Sequence, residues 1–570
     1  MLHILDGFFD AAPIAALFVT IALGYLVGKL TIGQFVLGGI AGTLLVGVGI
    51  GQLDVDLDPG IKTVFFALFI YAVGYQGGPQ FFNALNRKSL NQLASAFVMC
   101  VLGLVCVLVA AWVFGLDRGT AAGLAAGGLT QSAIIGTADG ALARLDLAPD
   151  VIKTMQTNVA VGYAVCYIFG SLGPIIMITW FLPTIMKWDI RAEAIKLEKE
   201  MSGGRPSLEP GQFNAARRIA TRVYHVRDDA PAVGKRVLDI DRDLSDAAVE
   251  AILRDGGMLG LGDDVEIAAG DLVAITGLIA AERGGPDYFG PEVQPPAAFE
   301  LVEEAREMVL TNRKVAGRTL KDLHDNVGVE TRHGIFVDAV IRMGRDLPVL
   351  PDLELKRGDE LRLIGSPADL DRVQSKVGYD IPAAAVTDFV FFGLGMTIGV
   401  ALGLIQFKLG GVPVSIGTGG GCLLSGLFFG WLRSTHPRYA ALPRGASNFL
   451  RDFGLAVFVA VVGISAGPQA LETIKSHGAQ IFLLGVGVTL IPQVLGFYFN
   501  YYVLRIRNPI EALACVAGGR SANPGFAALM GKAGNATPVV AFTVTYAVAN
   551  VFLTLWGPII IGVITKNATP

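Results

Sequence analysis

The chain has 570 residues, of which 52% are hydrophobic and 16% are charged, and its net charge at pH 7 is −4. Soluble globular proteins carry about 25% charged residues, so this composition predicts a membrane protein. The small net charge and the lack of a Lys/Arg stripe exclude a nucleic-acid partner. The five cysteines have no paired ligand spacing, which argues against a zinc site, any other metal site of that type, or a disulfide framework.

Hydrophobic and charged residues divide the chain into three parts. Residues from about 187 to 380 read as soluble protein, and apolar runs long enough to cross a bilayer occur on both sides of them. Met1–Asp10 contains no Lys or Arg, so the first apolar segment is not expected to be a cleaved signal. The predicted domains are a first membrane repeat at 1–186, a linker at 187–207, two soluble domains at 208–291 and 292–380, and a second membrane repeat at 381–570.

The first membrane part is expected to contain five spanning helices and one leftover segment, 119–145. The predicted spans are 12–28, 33–53, 61–85, 91–115 and 155–182. If the leftover segment enters and leaves by one face, the loop residues Lys29, Arg87, Lys88, Lys187 and Arg191 share one side. Lys and Arg in short loops favour the cytoplasm. We therefore predict a re-entrant segment, external termini and a cytoplasmic central region.

The most informative pattern is a duplication, because the two membrane parts match in four blocks that follow the same order. The first block pairs Gly38, Gly42, Leu44, Leu45, Gly47 and Gly51 with Gly417, Gly421, Leu423, Leu424, Gly426 and Gly430. The second block pairs Val73-Gly74 and Gly78-Pro79-Gln80 with Val462-Gly463 and Gly467-Pro468-Gln469. The third block pairs Ala126–Thr130 with Ala517–Ser521. The fourth block pairs Tyr163-Ala164-Val165 and Gly173-Pro174 with Tyr546-Ala547-Val548 and Gly557-Pro558. An odd number of spans turns the second copy upside down, with 510–535 as its re-entrant segment.

Each re-entrant segment contains residues that interrupt a helix. These are Gly127 and Gly128 in the first segment and Gly518, Gly519 and Pro524 in the second. Broken backbone at membrane depth is tolerated where it is buried or lines a cavity, and freed helix N-termini favour anions. The candidate substrate-binding residues in these segments are Thr130, Gln131, Ser132, Arg520, Ser521 and Asn523.

Arg520 is the cation among these candidates. A planar guanidinium suits bidentate binding of a carboxylate, and arginine at membrane depth is costly and usually functional. We assign Arg520 as the anchor of an anionic substrate. The alternative is an arginine near the interface whose side chain reaches water.

Three further positions have two interpretations each. The breaks Gly78-Pro79 and Gly467-Pro468 are expected to end apolar helices, so that Gln80 and Gln469 line the same cavity. The alternative is a helix end with a polar cap. Asp139 is either a charge-coupling group or a cap of the returning helix.

The soluble insert also contains a repeat. Gly234-Lys235 followed by Gly270-Asp271 resembles Gly317-Arg318 followed by Gly358-Asp359, each Gly-Asp turn preceding a strand. This spacing resembles two copies of the TrkA-C (RCK-C) domain. No Gly-rich phosphate-binding fingerprint follows a strand, so neither a dinucleotide fold nor an ATPase is indicated.

Taken together, these motifs resemble the aspartate:alanine exchanger family, also described as the AspT/YidE/YbjL duplication family. The resemblance implies an all-α polytopic protein of two inverted repeats, elevator-like, with an inserted α+β region of two TrkA-C-like domains. It also implies a bacterial inner-membrane antiporter that exchanges aspartate for alanine electrogenically, without a cofactor or metal. Relatives that resemble succinate exporters leave a dicarboxylate as the alternative substrate. By analogy with elevator transporters, we expect a homodimer whose scaffold uses the helices around Gly38–Gly51 and Gly417–Gly430.

Two other classes are disfavoured. A potassium-transport subunit would explain TrkA-C-like domains, but neither half contains a Thr-Val-Gly-Tyr-Gly-like filter. An enzyme would need a catalytic constellation, and the six histidines lie outside the apolar segments without triad or metal spacing.

Overall fold

The structure is a computed structural model that divides into two compact units. It describes residues 8–9, 11–32, 35–36, 38–85, 89–201, 219–244, 247–261, 264–278, 285–296, 299, 302–380, 386–409, 412–415, 417–436 and 439–567. The helical unit comprises Met1–Ala194 and Ala385–Pro570, and the inserted unit comprises Ile195–Ala384.

The first half of the helical unit contains a two-stranded β-ribbon and a series of helices. In chain order these are α1 (Pro13–Val27), β1 (Thr31–Ile32), β2 (Phe35–Val36), α2 (Gly39–Ile50), α3 (Pro59–Ala84), α4 (Leu90–Phe114), α5 (Arg118–Gly128), α6 (Ala133–Leu142), α7 (Pro149–Ile176), a π-helical turn (Met177–Phe181), α8 (Leu182–Met186) and α9 (Ile190–Met201). The last of these, α9, leads into the inserted unit.

The second half follows a similar order, but two of its helices are fused and its π-helical turn comes earlier. Its elements are α15 (Phe389–Gly403), β13 (Gln406–Leu409), β14 (Val412–Ser415), α16 (Gly417–Thr435), α17 (Arg444–Tyr498), a π-helical turn (Phe499–Val503), α18 (Pro509–Gly519), α19 (Asn523–Ala533) and α20 (Pro538–Val563). The 55-residue α17 joins what the first half builds as two helices, α3 and α4.

Five helical stretches in the described part of the chain, two of them starting within α17, are long and apolar enough to cross a membrane, whereas ten spans were expected. They are Leu90–Phe114, Pro149–Met186, Arg444–Gly467, His477–Val503 and Pro538–Val563. The expected span 33–53 is shorter in the structure because β1 and β2 occupy its start and α2 begins at Gly39.

Glycines let the two halves of the helical unit pack closely. A Cβ built on Gly47 of α2 would lie 3.1 Å from the Cα of Gly463 in α17. The matching pair in the duplication is Gly74 of α3 and Gly426 of α16, where the corresponding distance is 3.2 Å. Small residues allow such close backbone approach. These glycines therefore bring helices of the two halves of the same chain together, and the expected role of α2 and α16 in a dimer scaffold stays a prediction.

The Gly-Pro-Gln elements do not end helices, so this part of the sequence interpretation was wrong. Helix α3 continues through Gly78 and Pro79 to Ala84. Helix α17 likewise runs through Gly467 and Pro468, far from either of its ends. Proline within a helix removes one hydrogen bond to the carbonyl four residues earlier, and packing in these helices outweighs that loss.

The carbonyls released by these prolines face glycines of the opposite half. The released carbonyl of Tyr75 lies so close to Gly430 that a Cβ there would overlap it. In the other half, the carbonyl of Ile464 lies equally close to Gly51. The proline motif of each half thus packs against the glycine motif of the other half, which accounts for the occurrence of both motifs in both halves.

The inserted unit contains two antiparallel sheets with the same topology. The first sheet is formed by β3 (Ile219–His225), β4 (Ala247–Arg254), β5 (Gly257–Leu259), β6 (Leu272–Leu278) and β7 (Glu292–Val293), with helices α10 (Val237–Leu244) and α11 (Gly285–Tyr288). The second is formed by β8 (Glu304–Leu310), β9 (Phe336–Arg342), β10 (Arg345–Leu347), β11 (Glu360–Gly365) and β12 (Gly378–Asp380), with helices α12 (Leu320–Asn326), α13 (Val329–Arg332) and α14 (Pro367–Val377). The strand orders are β5-β4-β6-β3-β7 and β10-β9-β11-β8-β12, so both sheets follow the order third, second, fourth, first, fifth.

The Gly-Asp turns of the insert hold an arginine in both sheets. Arg342 donates two hydrogen bonds to Asp359, at 2.7 and 2.6 Å, and both side chains are fully buried. Arg254 donates to Asp271 in the same way, at 2.8 and 2.8 Å. The repeated motif therefore encodes a repeated Arg-Asp ion pair, in which the aspartate is buried both times but Arg254 is 35% exposed.

Candidate functional site

Two broken-helix segments lie inside the helical unit, where the glycine pairs predict them. The first segment consists of α5 and α6, and the second of α18 and α19. Asp117 caps α5 by accepting from the backbone N–H groups of Gly119 and Thr120, and Asn508 caps α18 in the same way. All residues of α5 are buried. The first helix of the first segment is therefore enclosed by protein, as broken backbone in a membrane requires, whereas α19 of the second segment has exposed residues such as Asn523 and Ala527.

The turns of the two segments, called the tips below, have matching backbone geometry. The first tip is 129–132 and the second is 520–522. Thr130 and Ser521, which are equivalent in the duplication, both have positive φ, at 54° and 52°. Neither α6 nor α19 has a side-chain cap at its N-terminus. Uncapped helix N-termini carry partial positive charge and free amides, which favour an anion.

Arg520 joins the second tip to the first. Its side chain is 3% exposed, and one Nη2 bond of 2.7 Å reaches the carbonyl of Gly128, the last residue of α5. It also donates to the carbonyl of Gly170 at 3.2 Å and to that of Thr489 at 3.1 Å. Its Nε is buried and has no hydrogen-bond partner among the described residues. Arg520 is thus deeply buried, and one donor atom remains available to a ligand.

The neutral candidates of the two tips bond to the helices that follow them. Ser132 lies 2.8 Å from the hydroxyl of Tyr163, and Asn523 donates to the hydroxyl of Tyr546 at 3.2 Å. These two contacts are equivalent in the duplication. The tyrosines belong to a repeated block in the sequence, which was the available signal for their role, although the sequence alone did not place them at the tips.

Gln131 of the first tip also contacts the second half. Its Nε2 donates to Asn550 Oδ1 at 3.1 Å, and Asn550 is held by its own bond to the carbonyl of Tyr546. Asn550 was missed in the sequence because 419 residues separate it from Gln131.

Asp139 lies within α6 and forms an ion pair that the sequence did not indicate. Lys62, in the first turn of α3, donates to Asp139 Oδ2 at 3.0 Å, and the Asp139 side chain is 9% exposed. The interpretation of Asp139 as a helix cap is wrong, because it lies in the middle of α6. Its Oδ1 is buried and has no partner within the described residues.

The glutamines of the Gly-Pro-Gln elements are not placed at the tips by any hydrogen bond in the described structure. Gln80 is buried in α3, and its Oε1 has no partner among the described atoms. The side chains of Pro468 and Gln469 lie outside the described part of the chain.

Comparison with known proteins identifies the family. A family model described as Predicted Permease Membrane Region matches residues 16–183 and 391–562. The chain belongs to the aspartate:alanine exchanger family. Within the inserted unit, the TrkA-C domain model matches residues 305–378, which is the second sheet and its helices. The aspartate:alanine exchanger family is thus shown, together with one TrkA-C domain.

Relatives cover the whole length of the chain. An uncharacterized transporter of Francisella tularensis is 52% identical over 555 residues, which is 97% of each chain. An uncharacterized transporter of Zymomonas mobilis is 42% identical and covers 96% of this chain and 97% of its own. One from Bradyrhizobium diazoefficiens is 37% identical. No solved structure matches. The permease family model and the printed names of these relatives indicate that the chain is a transporter.

Proposed function

We propose that the protein is an electrogenic amino-acid antiporter that exchanges aspartate for alanine, with the substrate carboxylate bound between the two tips. The contact between Arg520 and the end of α5 is the observation that carries this proposal, because it brings a buried cation and both broken-helix segments together. The uncapped N-termini of α6 and α19 add positive potential from the same two segments.

The proposed binding mode starts from the free donor of Arg520. Its Nε–H donates to no acceptor in the described structure, whereas its Nη atoms already donate to backbone carbonyls. A substrate carboxylate binds Nε first and then competes with the carbonyls of Gly128 and Gly170. Thr130, Gln131, Ser132, Ser521 and Asn523 supply neutral donors and acceptors near the same tips.

The Lys62–Asp139 pair is the proposed coupling element. It is a partly buried pair with one unpartnered carboxylate oxygen, and α6, which carries Asp139, begins at the first tip. Ionisable residues within membrane segments typically mark ion or proton pathways. Movement of α6 during transport would change the environment of this pair.

The architecture that we propose is two inverted repeats, 1–186 and 381–570, which move in an elevator-like manner within a homodimer. The matching φ values of Thr130 and Ser521 and the double match of the permease model support a duplication. We further propose an inner-membrane location with external termini. In this arrangement the two TrkA-C-like domains, 208–291 and 292–380, are cytoplasmic, and their identical strand orders support the assignment of both.

Flux measurements on the purified protein in liposomes test the function. Vesicles loaded with alanine should take up labelled aspartate, and vesicles without internal substrate should not. Aspartate carries one net negative charge at neutral pH and alanine none, so a potential positive inside should accelerate uptake. Vesicles loaded with succinate test the dicarboxylate alternative. Measurement of potassium flux tests the potassium-transport alternative.

The outcomes separate the substrates clearly. Aspartate uptake that requires internal alanine establishes the antiporter. Succinate exchange without aspartate exchange would replace aspartate by a dicarboxylate and leave the anion site in place. Folded protein that moves no carboxylate in any arm would overturn the proposal.

A further inference from the structure

Four titratable side chains meet inside the inserted unit, contributed by both sheets and their helices. Asp241 and Glu250 belong to the first sheet region, and His333 and Asp369 to the second. One ring nitrogen of His333 and one carboxylate oxygen each of Glu250 and Asp369 lie within 4.8 Å of one another. Two ligands on opposite sides of one ion at 2.0–2.2 Å are at most about 4.4 Å apart, so small side-chain movements would form a coordination shell.

His333 is oriented by a carboxylate. Its Nδ1 lies 2.5 Å from Asp241 Oδ2, and Asp241 is fixed in turn by accepting from the backbone N–H of Val249 at 3.0 Å. A carboxylate at Nδ1 favours the tautomer with hydrogen on Nδ1, which leaves Nε2 with a lone pair. Metal-binding histidines commonly have such a carboxylate partner.

Glu250 is positioned by an irregularity in the sheet. The pairing of β4 with β6 shifts register between Val249 and Ala251, so Glu250 occupies the bulge. Its Oε1 is buried and has no hydrogen-bond partner in the described part of the chain. A Cβ built on Gly334 would lie 2.6 Å from this oxygen and would also meet Asp369 Oδ2, so both oxygens face the same small space. Bulges often redirect a side chain at functional sites.

The charges around this space favour a cation. Asp369 already bonds to Ser366, at 2.5 Å, and to Arg372. One guanidinium thus stands beside three carboxylates, those of Asp241, Glu250 and Asp369, which leaves negative charge in excess. A cleft of about 1710 Å³ is lined by Asp241, His333 and Gly334 among others, so it reaches the His333 side of the cluster.

We propose that Glu250, His333 and Asp369 form a binding site for a divalent transition-metal ion, with Asp241 orienting His333. One imidazole and two carboxylates are a ligand set suited to Zn²⁺ or Mn²⁺ and poorly suited to Mg²⁺. The ion would link the two sheets of the inserted unit, so its binding would stiffen that unit. The three ligands are far apart in the sequence, so they do not form a motif with metal-ligand spacing.

Zinc binding to the full-length, untagged protein tests this site. After treatment with a chelator and its removal, isothermal titration with Zn²⁺ should show one tight site per chain, and titration with Mg²⁺ should show none. His333→Gln and Glu250→Gln should each weaken Zn²⁺ binding by at least about tenfold, and Asp241→Asn by about 10–100-fold. Zn²⁺ should also raise the melting temperature of the parent but not of the first two variants.

Two variants serve as matched controls. His324→Gln removes another histidine of the same sheet region, and Asp338→Asn removes the carboxylate that lies in the corresponding bulge of β9. Both should bind Zn²⁺ like the parent. If His333→Gln fails to fold, Zn²⁺ binding by the Glu250→Gln variant tests the proposed site instead. A protein that binds no Zn²⁺, or binds it equally well in both ligand variants, would show that this cluster only exchanges protons or stabilises the fold.

Discussion

Arg520 has two roles at once in this structure. Three backbone carbonyls, of Gly128, Gly170 and Thr489, neutralise part of its charge and hold the tips together. Its free Nε offers a further hydrogen bond in a site where water is scarce. The carbonyl bonds explain how a guanidinium is tolerated at this depth without an acidic partner in the described chain, and the free donor explains how it would recognise an anion.

Substitution at Arg520 should have a graded effect on aspartate binding. Arg520→Ala should lose roughly 2–5 kcal/mol of binding free energy because a buried carboxylate loses its charged partner. Arg520→Lys keeps the charge but lacks the planar fork, so it should exchange weakly at best. Ser521→Ala should lose only about 0.5–1.5 kcal/mol.

Aspartate affinity by isothermal titration and exchange in liposomes measure this order. Thermal unfolding of each variant is the control, because the alanine variant also leaves three carbonyls without their donor. A folded Arg520→Ala protein that binds aspartate like the parent would place the anion site elsewhere.

The Lys62–Asp139 pair should respond to mutation as a unit. Either Lys62→Met or Asp139→Asn leaves one charge without its partner, which costs about 3–5 kcal/mol for a fully buried pair and should cost less for this partly buried one. The double variant should recover much of this stability. Thermal unfolding of all four proteins gives the coupling energy. Strictly additive losses would mean that the two residues do not interact in the folded protein.

At the scale of helices, glycine decides how the two halves meet. Gly51 lies against the carbonyl of Ile464, and Gly430 lies against that of Tyr75. Each carbonyl is the one that a proline four residues later leaves without its helical donor. Close Cα–H contacts with glycine partly compensate for this loss.

A methyl group at this contact should therefore be costly. Gly51→Ala would force α2 away from α17, and overpacking of this kind typically costs about 1–3 kcal/mol. Gly49→Ala, two residues earlier in α2, meets nothing within 4 Å and should be neutral or stabilising. Melting temperatures of the two variants in mild detergent compare them directly. Equal melting temperatures would contradict the packing role of Gly51.

The sequence predicted the positions of the helix breaks but not the partners of the residues around them. Glycine pairs act locally, so the ends of α5 and α18 could be inferred from Gly128 and Gly519. The bond from Arg520 to Gly128 joins residues 392 apart, and the Lys62–Asp139 pair joins residues 77 apart. Nothing in a single sequence marks such pairs. The Gly-Pro interpretation failed for the opposite reason, because tertiary packing overrode a local breaker.

At the scale of the whole chain, each of the two units contains two similar parts. In the helical unit, two similar halves exchange contacts, so that α2 packs on α17 and α16 on α3. In the inserted unit, two sheets of identical strand order each hold an arginine on a buried aspartate. Neither half of the helical unit completes its packing alone. We therefore expect the two halves to fold cooperatively, although the insert Ile195–Ala384 separates them in the sequence.

The orientation of the chain in the membrane is the property of the whole molecule that is most open to test. The positive-inside rule places the loop at Arg87, which lies outside the described residues, in the cytoplasm, and it places exposed Asp56 outside. Single cysteines at these two positions should react with an impermeant thiol reagent from opposite faces of intact cells and inverted vesicles. Asp56→Cys should react in intact cells.

The native cysteines give a clean background for this labelling. Four of them, Cys100, Cys166, Cys422 and Cys515, are buried, so only half-buried Cys106 needs replacement by serine. Asp54→Cys is a second external probe, because it lies in the same exposed loop as Asp56. Reaction at Asp56 and Arg87 from one face would mean that α3 does not cross the membrane, and both the inverted repeat and the cytoplasmic insert would then be wrong. Reaction from opposite faces with Asp56 on the cytoplasmic side would keep the inverted repeat but reverse the orientation of the chain. The inverted repeat depends on the number of membrane crossings, whereas the orientation was inferred from the loop charges.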